Sequence, residues 1–187
     1  MKILAGKYKG KSLKTFSNPS VRPTCGVVKE AVFNICSVYV EDARFLDLFA
    51  GVGSVGFEAL SRGAASVTFV DSSAQSVRLI RANSQLLHPN LPIKIIKQEA
   101  RSAIQRLAKK NMSFDLIYID PPYNLEDSYL AAVLRDIVVG GILDKHGCLF
   151  LENASMEPIL VEGLIRKRSR KLGGTCLSEY VLEDSSN

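Results

Sequence analysis

The sequence predicts an α/β protein built on a mainly parallel, doubly wound sheet, and three observations carry that expectation. From Phe45 onward, short β-branched and aromatic runs alternate with stretches of helical spacing. The first run leads into the glycine turn Gly51-Val52-Gly53, from which a helix departs. The last two runs flank Gly173-Gly174, which reads as an antiparallel hairpin. A helix between consecutive strands returns the chain to the same edge of the sheet, so the strands it joins run parallel.

Taken in order, Ile3 to Lys14 reads as a small hairpin whose Lys7, Lys9 and Lys11 share one face. After the loop Asn18-Pro19-Ser20 and the stretch Arg22-Pro23-Thr24, apolar residues at 28, 31, 32 and 35 predict a first helix over Val27–Cys36, with Thr24 a candidate cap. Strands are expected at Phe45–Ala50, Ser66–Asp71, Ile93–Lys97, Phe114–Asp120 and Cys148–Glu152. The matching helices are Ser54–Ser61, Ser73–Leu87, Arg101–Lys110, Ser128–Val139 and about Glu157–Leu164, with strands over Lys167–Leu172 and Thr175–Leu182 closing the chain. The division this suggests is a basic extension over residues 1–44 and an α/β domain over 45–187.

At 187 residues the chain can bury a sizeable core, and its 47% hydrophobic and 23% charged content is ordinary for a globular protein. No run of apolar residues is long enough to span a membrane, and the N-terminus lacks a signal-peptide pattern, so a cytoplasmic protein is expected. Cys25, Cys36, Cys148 and Cys176 are dispersed, with no paired spacing and no clustered histidine. Neither a metal site nor a disulfide framework is expected. His88 and His146 fall in loop-like stretches and read as surface residues.

The net charge of +5 is unevenly placed. Residues 1–44 carry eight Lys and Arg against three acids, whereas the remainder carries 16 of each sign. A second local cluster lies at Arg166, Lys167, Arg168, Arg170 and Lys171. Such asymmetry points to a polyanionic partner. Charges that keep an edge strand solvated are the plainer explanation.

Two motifs carry chemistry. Gly51-Val52-Gly53-Ser54-Val55-Gly56 is a full G-x-G-x-x-G between a strand and a helix, and Asp71 lies 20 residues beyond Gly51 at the end of the next strand. Glycines permit a tight turn and close approach of a ligand, and the acid can accept from ribose hydroxyls, so an adenosine-bearing cofactor is expected. The second motif is Asp120-Pro121-Pro122-Tyr123 at the end of the Phe114–Ile119 run. Two prolines stop the strand and hold Asp120 and Tyr123 rigidly at its carboxyl edge, where ligands bind in such sheets. A carboxylate beside a flat ring suits a planar base with an exocyclic amino group. Asp47, inside the first strand, is an acid that burial would make costly without a partner. A sulfonium and ammonium ligand would supply one, which favours S-adenosylmethionine over a nicotinamide dinucleotide.

Leu46-Asp47-Leu48-Phe49-Ala50-Gly51 together with Asp120-Pro121-Pro122-Tyr123 resembles the S-adenosylmethionine-dependent amino-methyltransferases. Arg22-Pro23-Thr24, Lys29-Glu30-Ala31-Val32-Phe33-Asn34 and Glu58-Ala59-Leu60-Ser61-Arg62-Gly63-Ala64 narrow the resemblance to the RsmD family, which methylates the N2 amino group of a guanine in 16S ribosomal RNA. The resemblance implies the class I methyltransferase fold: a Rossmann-like three-layer sandwich with a seven-stranded sheet and an antiparallel C-terminal hairpin, extended by the N-terminal hairpin and helix. It implies that Asp47, Phe49, Ala50, Gly51, Gly53, Gly56, Asp71, Ser72, Glu99, Ala100 and Asp120 surround the cofactor. Asp120, Pro121, Pro122 and Tyr123 would form the acceptor site, and Lys7, Lys9, Lys11, Arg22, Pro23 and Thr24 would meet RNA. The implied partner is 16S rRNA in small-subunit particles, acted on by a monomer without metal. The chain departs from the family pattern at Glu99, where Asp is frequent, at Cys25-Gly26-Val27, and at Leu172-Gly173-Gly174. Adenine N6 or a glutamine side chain as acceptor, and a nicotinamide-dependent oxidoreductase, are the alternatives.

Overall fold

The computed structural model describes residues 1–16, 26–122 and 125–183. Arg22, Pro23, Thr24 and Tyr123, and with them the proposed cap at Thr24, lie outside the described residues.

The elements follow in the order α1 (Gly26–Ile35), β1 (Arg44–Leu48), α2 (Ser54–Ser61), β2 (Ser66–Asp71), α3 (Ala74–Leu87), β3 (Ile93–Lys97), α4 (Ala100–Ala108), β4 (Phe114–Ile119), α5 (Asp127–Val139), β5 (Leu143–Asn153), β6 (Leu164–Leu172) and β7 (Thr175–Leu182). They form one seven-stranded sheet of order β3-β2-β1-β4-β5-β7-β6. The strands β1 to β5 are mutually parallel, and β7 is antiparallel to both β5 and β6. Strand β6 therefore runs in the same direction as β1–β5, and its C-terminal end lies on their carboxyl edge.

Side-chain alternation divides the interior into two apolar layers. Phe45, Val67, Phe69, Leu116, Tyr118 and Phe150 pack against α1, α2 and α3. Leu46, Leu48, Val70, Ile117, Ile119 and Leu151 pack against α4 and α5. Near-continuous burial along β1, β2 and β4 is what a sheet covered on both faces requires. The amino ends of β1, β4 and β5 are tied by Arg44, whose Nη2 lies 2.6 Å from Asp115 Oδ1 and 3.1 Å from Asp144 Oδ2.

The helix expected over Glu157–Leu164 does not form. Ile159 and Val161 are buried while Leu160 between them is 81% exposed, an alternation that belongs to extended chain. Pro158 has no N–H to give a helix, and the Ile159 N–H donates to the Tyr180 hydroxyl at 3.3 Å instead. Strand β5 is longer than expected, reaching back to Leu143 across a register shift opposite Phe114–Leu116.

The N-terminal hairpin is reduced to one antiparallel bridge, Lys2 with Ser12, around turns at Lys7–Gly10. Its apolar residues Ile3, Tyr8 and Leu13 nonetheless join the α1–α3 core. A buried acid holds them there. Glu58 on α2 is inaccessible to solvent. It accepts from the N–H groups of Leu4 at 2.8 Å and Ala5 at 2.9 Å and from Arg62 Nε at 2.9 Å, and lies 3.5 Å from buried Lys29 Nζ of α1. Burial lowers the Lys29 pKa, and the Glu58 carboxylate opposes that shift.

Candidate active site

Parallel strands bring Asp71, Asp47, Asp120 and Glu152 to the carboxyl ends of four strands on one edge. Asp47 is 2% exposed and its Oδ2 accepts the Gly56 N–H at 2.9 Å. Burial holds its carboxyl well above the usual range; the Gly56 hydrogen bond opposes this, and the charges of Asp120 and Asp71 add to it. A buried acid in this position gains by receiving a cation.

The glycine motif forms as its spacing predicts. Gly51 has φ +55, and a Cβ built there would meet nothing within 4 Å, so the turn presents open backbone to a ligand. Gly56 serves the opposite need: a Cβ there would fall 2.3 Å from the Phe69 ring, because α2 lies directly on β2. Asp71 braces the turn, with Oδ2 accepting the Gly51 N–H and Oδ1 the Ser73 N–H, each at 2.8 Å. Each oxygen retains a lone pair for a hydroxyl.

Beside this turn is a cavity of about 200 Å³, lined by Phe49, Asp71, Ser72, Glu99, Ala100 and Pro122, together with Val70, Gln98, Leu125 and Tyr129. The sequence placed the first six in the site. It did not single out the others, although Leu125 and Tyr129 follow directly from where α5 begins after the double proline. Ala50 and Gly53 do not line the cavity; they shape its approach through the Gly53 N–H to Ala50 C=O bond of 2.7 Å. Phe49 adopts φ +59, a conformation unusual for a non-glycine residue and one that concentrates at functional sites. Glu99 caps α4 by accepting the Ser102 N–H at 3.2 Å and also accepts the Tyr129 hydroxyl. Its carboxylate is thus engaged across the cavity by a residue of α5.

On the other side of Asp47, Tyr118 and Glu152 form a buried pair, with the Tyr118 hydroxyl donating to Glu152 Oε2 at 2.6 Å. Burial raises the Tyr118 pKa far above its ordinary value, and the charges of Asp120, Glu152 and Asp47 reinforce it. The phenol therefore stays a donor. Neither residue was legible as part of the site from the sequence.

The lysine loop is elsewhere. Lys7 N–H donates to Ser61 C=O at 2.7 Å and Tyr8 N–H to Ser61 Oγ at 2.9 Å, which places this loop at the C-terminal end of α2. The glycine turn is at the other end, roughly 12 Å away for a helix of this length. The ammonium groups of Lys7 and Lys11 each lie 5.6 Å from the Tyr8 ring centroid. Among the described residues there is no cluster of His, Cys, Asp or Glu suited to a metal ion.

A 3-2-1-4-5-7-6 sheet with a glycine turn after β1, an acid closing β2 and an Asp-Pro-Pro edge after β4 defines a class I methyltransferase. Residues 1–181 match the family model described as "Conserved hypothetical protein 95". The chain belongs to this family, the RsmD family that its motifs resemble. It is 34% identical over 182 residues to the Bacillus subtilis protein named "Putative rRNA methyltransferase YlbH", covering 96% of this chain and 98% of that one. It is 29% identical over 163 residues to "Ribosomal RNA small subunit methyltransferase D" of Haemophilus influenzae, covering 86% of this chain and 82% of that one. The solved structure "Putative methyltransferase yhhF from Escherichia coli" superposes with a TM-score of 0.86 at 25% identity, covering 98% of both chains.

Proposed function

We propose that this protein transfers a methyl group from S-adenosylmethionine to the exocyclic N2 amino group of a guanine in 16S ribosomal RNA, acting on small-subunit particles. The observation that carries the reading is the convergence of the Asp120-Pro121-Pro122 edge with buried Asp47 and the open Gly51 turn. The residues fit the cofactor. Asp47 offers a buried carboxylate to a cation, Asp71 faces the cavity beside Gly51, and the cavity lined by Phe49, Pro122, Leu125 and Tyr129 has room for a purine.

S-adenosylmethionine supplies an electrophilic methyl on a positively charged sulfur. The amino group of guanine is a weak nucleophile because its lone pair is delocalised into the ring. Asp120 and the Pro121 carbonyl accept its two hydrogens, which favours pyramidalisation at N2 and aims the lone pair. Tyr123 stacks on the ring and restricts it to the productive orientation, a large share of what such a site can contribute. The proton leaves to Asp120 or to solvent. The acceptor base must be unstacked or lie in an accessible loop. Lys7, Lys9, Lys11 and Arg22 are phosphate anchors, which position RNA without choosing the base. Residues 1–44 act as the RNA-contacting part, and residues 45–187 as the catalytic part, of a cytoplasmic monomer.

The reading is tested by incubating the protein and labelled S-adenosylmethionine with small-subunit particles from a strain lacking the enzyme, followed by nucleoside mass spectrometry. N2-methylguanosine is the expected product. N6-methyladenosine, or label in protein rather than RNA, would replace the acceptor assignment. Binding of NAD but not of S-adenosylhomocysteine would overturn the class. Asp120→Ala should abolish transfer while leaving S-adenosylhomocysteine affinity within a few fold; retained transfer would remove Asp120 from the acceptor site.

A further inference from the structure

We propose that the exposed edge strand β6 is a phosphate-docking surface serving the acceptor site, with Arg170 and Lys171 as its site-proximal contacts. The proposal rests on the rRNA reading above and adds where the polyanion lies.

Strand register carries it. Ile119 of β4 is level with Leu151 of β5, so Asp120 is level with Glu152. Glu152 pairs with Leu177 of β7, and Leu177 pairs with Arg170 of β6. Arg170 therefore stands on the same level of the sheet as Asp120, three strands away, or about 14 Å at roughly 4.8 Å per strand. That span is the rise of about four stacked nucleotides at roughly 3.4 Å each. Residues in register share a face, and Leu177 between them is buried in the layer that holds Tyr118 and Phe150. Arg170 projects on that same side. Lys171, paired with Cys176 opposite Asn153, lies at the extreme carboxyl edge.

The cations on this strand are unequally committed. Arg168 Nε is 2.6 Å from Glu179 Oε2, and Arg166 Nη1 donates to the Met156 carbonyl at 2.7 Å. Lys167, Arg170 and Lys171 are exposed, and among the described residues no carboxylate pairs with them. Among the described residues, β6 has no neighbouring strand on its outer side, and these cations are open to solvent. The N-terminal lysines, by contrast, sit at the far end of α2 from the glycine turn. Of the two basic clusters, β6 is the one on the edge where Asp120 ends its strand.

Edge strands also carry charge simply to block strand addition. Charge reversal separates the two roles, because acidic residues protect an edge as well as basic ones while repelling phosphate. The variants are Arg170→Glu/Lys171→Glu and Arg170→Gln/Lys171→Gln. Each is assayed for methylation of small-subunit particles lacking the modification, for salt dependence of particle binding, for S-adenosylhomocysteine affinity and for monodispersity. The glutamine pair should raise KM about fivefold per lost contact at 0.15 M salt and lower the salt slope by about 0.7–0.9 per contact. The glutamate pair should raise KM further, with kcat and S-adenosylhomocysteine affinity unchanged in both. Unaltered KM and salt slope in the glutamate pair would overturn the proposal, as would aggregation of the glutamine pair with unaltered KM. If the wild-type protein methylates no rRNA, the rRNA reading fails on its own. Particle binding measured without cofactor then still decides whether β6 docks a polyanion.

Discussion

Removing the Glu58 carboxylate should free residues 1–6 from the body of the protein, and the cost follows from its partners. Glu58→Ala leaves Lys29, 1% exposed, with the Lys2 carbonyl at 3.0 Å as its remaining acceptor. Breaking a buried ion pair by deleting one member costs about 3–5 kcal/mol. The N–H groups of Leu4 and Ala5 also lose their acceptor, at about 1–3 kcal/mol for each that stays buried. Two escapes lower the total: Lys29 can shed its proton, since burial already lowers its pKa, and residues 1–6 can lift away to water. A net loss of about 3–5 kcal/mol is expected, or roughly 6–20 °C in Tm for a domain of this size. Urea denaturation and calorimetry measure it. Adding Lys29→Met to Glu58→Ala should recover about 1–3 kcal/mol, because the uncompensated ammonium is then gone. A loss below about 1 kcal/mol for Glu58→Ala, or no recovery in the double variant, would show that the pair does not hold the segment.

Gly56→Ala drives a methyl group into the Phe69 ring, so a loss of about 1–3 kcal/mol by denaturation is expected, with weakened S-adenosylhomocysteine binding by calorimetry. Asp47 has a folded-state pKa raised above its unfolded value, so the folded state holds the proton longer. Stability of the ligand-free protein should therefore fall as pH rises from about 4, the unfolded carboxylate value, through the folded pKa. Asp47→Asn should flatten that dependence in pH-resolved thermal melts, and should also remove the gain in S-adenosylmethionine affinity with rising pH. Lys7→Ala, Lys9→Ala and Lys11→Ala together should reduce the salt slope of particle binding by about 0.7–0.9 for each phosphate contact they make. No change in slope would exclude the loop from docking.

Much of the fold was legible because its signals are local. A strand buried on both faces must be apolar at nearly every position, and a glycine turn between strand and helix has few alternatives. The same locality explains the errors. Glu157–Leu164 has the composition of a helix, but Ile159 and Val161 alternate with exposed Leu160 because Tyr180, 21 residues later, takes the Ile159 N–H. The lysine loop was expected to alternate as a strand, yet Gly6 and Gly10 both take positive φ and turn it into successive bends. At the site, the motif residues Asp47, Gly51, Asp71 and Asp120 could be named from spacing. Tyr118 and Glu152 could not, since a buried tyrosine in an apolar strand looks like core until the acid on the neighbouring strand is seen.

A residue that belongs to none of the motifs, Asn83, joins the N-terminal segment to the cofactor turn. Asn83 is completely buried in α3, where an amide without partners would be strongly unfavourable. Its Nδ2 donates to the carbonyls of Lys14 at 3.1 Å and Val52 at 3.0 Å, while its Oδ1 accepts the Lys14 N–H at 2.7 Å. One side chain thus fixes the backbone at Lys14 and at the centre of the glycine turn. Glu58 and Ser61 fix the same segment along α2, the helix that begins at that turn. Four polar side chains on three helices, Lys29, Glu58, Ser61 and Asn83, rather than the single bridge between Lys2 and Ser12, decide where residues 1–14 lie. A substitution at Asn83 should therefore disturb the placement of the N-terminal segment and of Val52 together, because the same amide satisfies both.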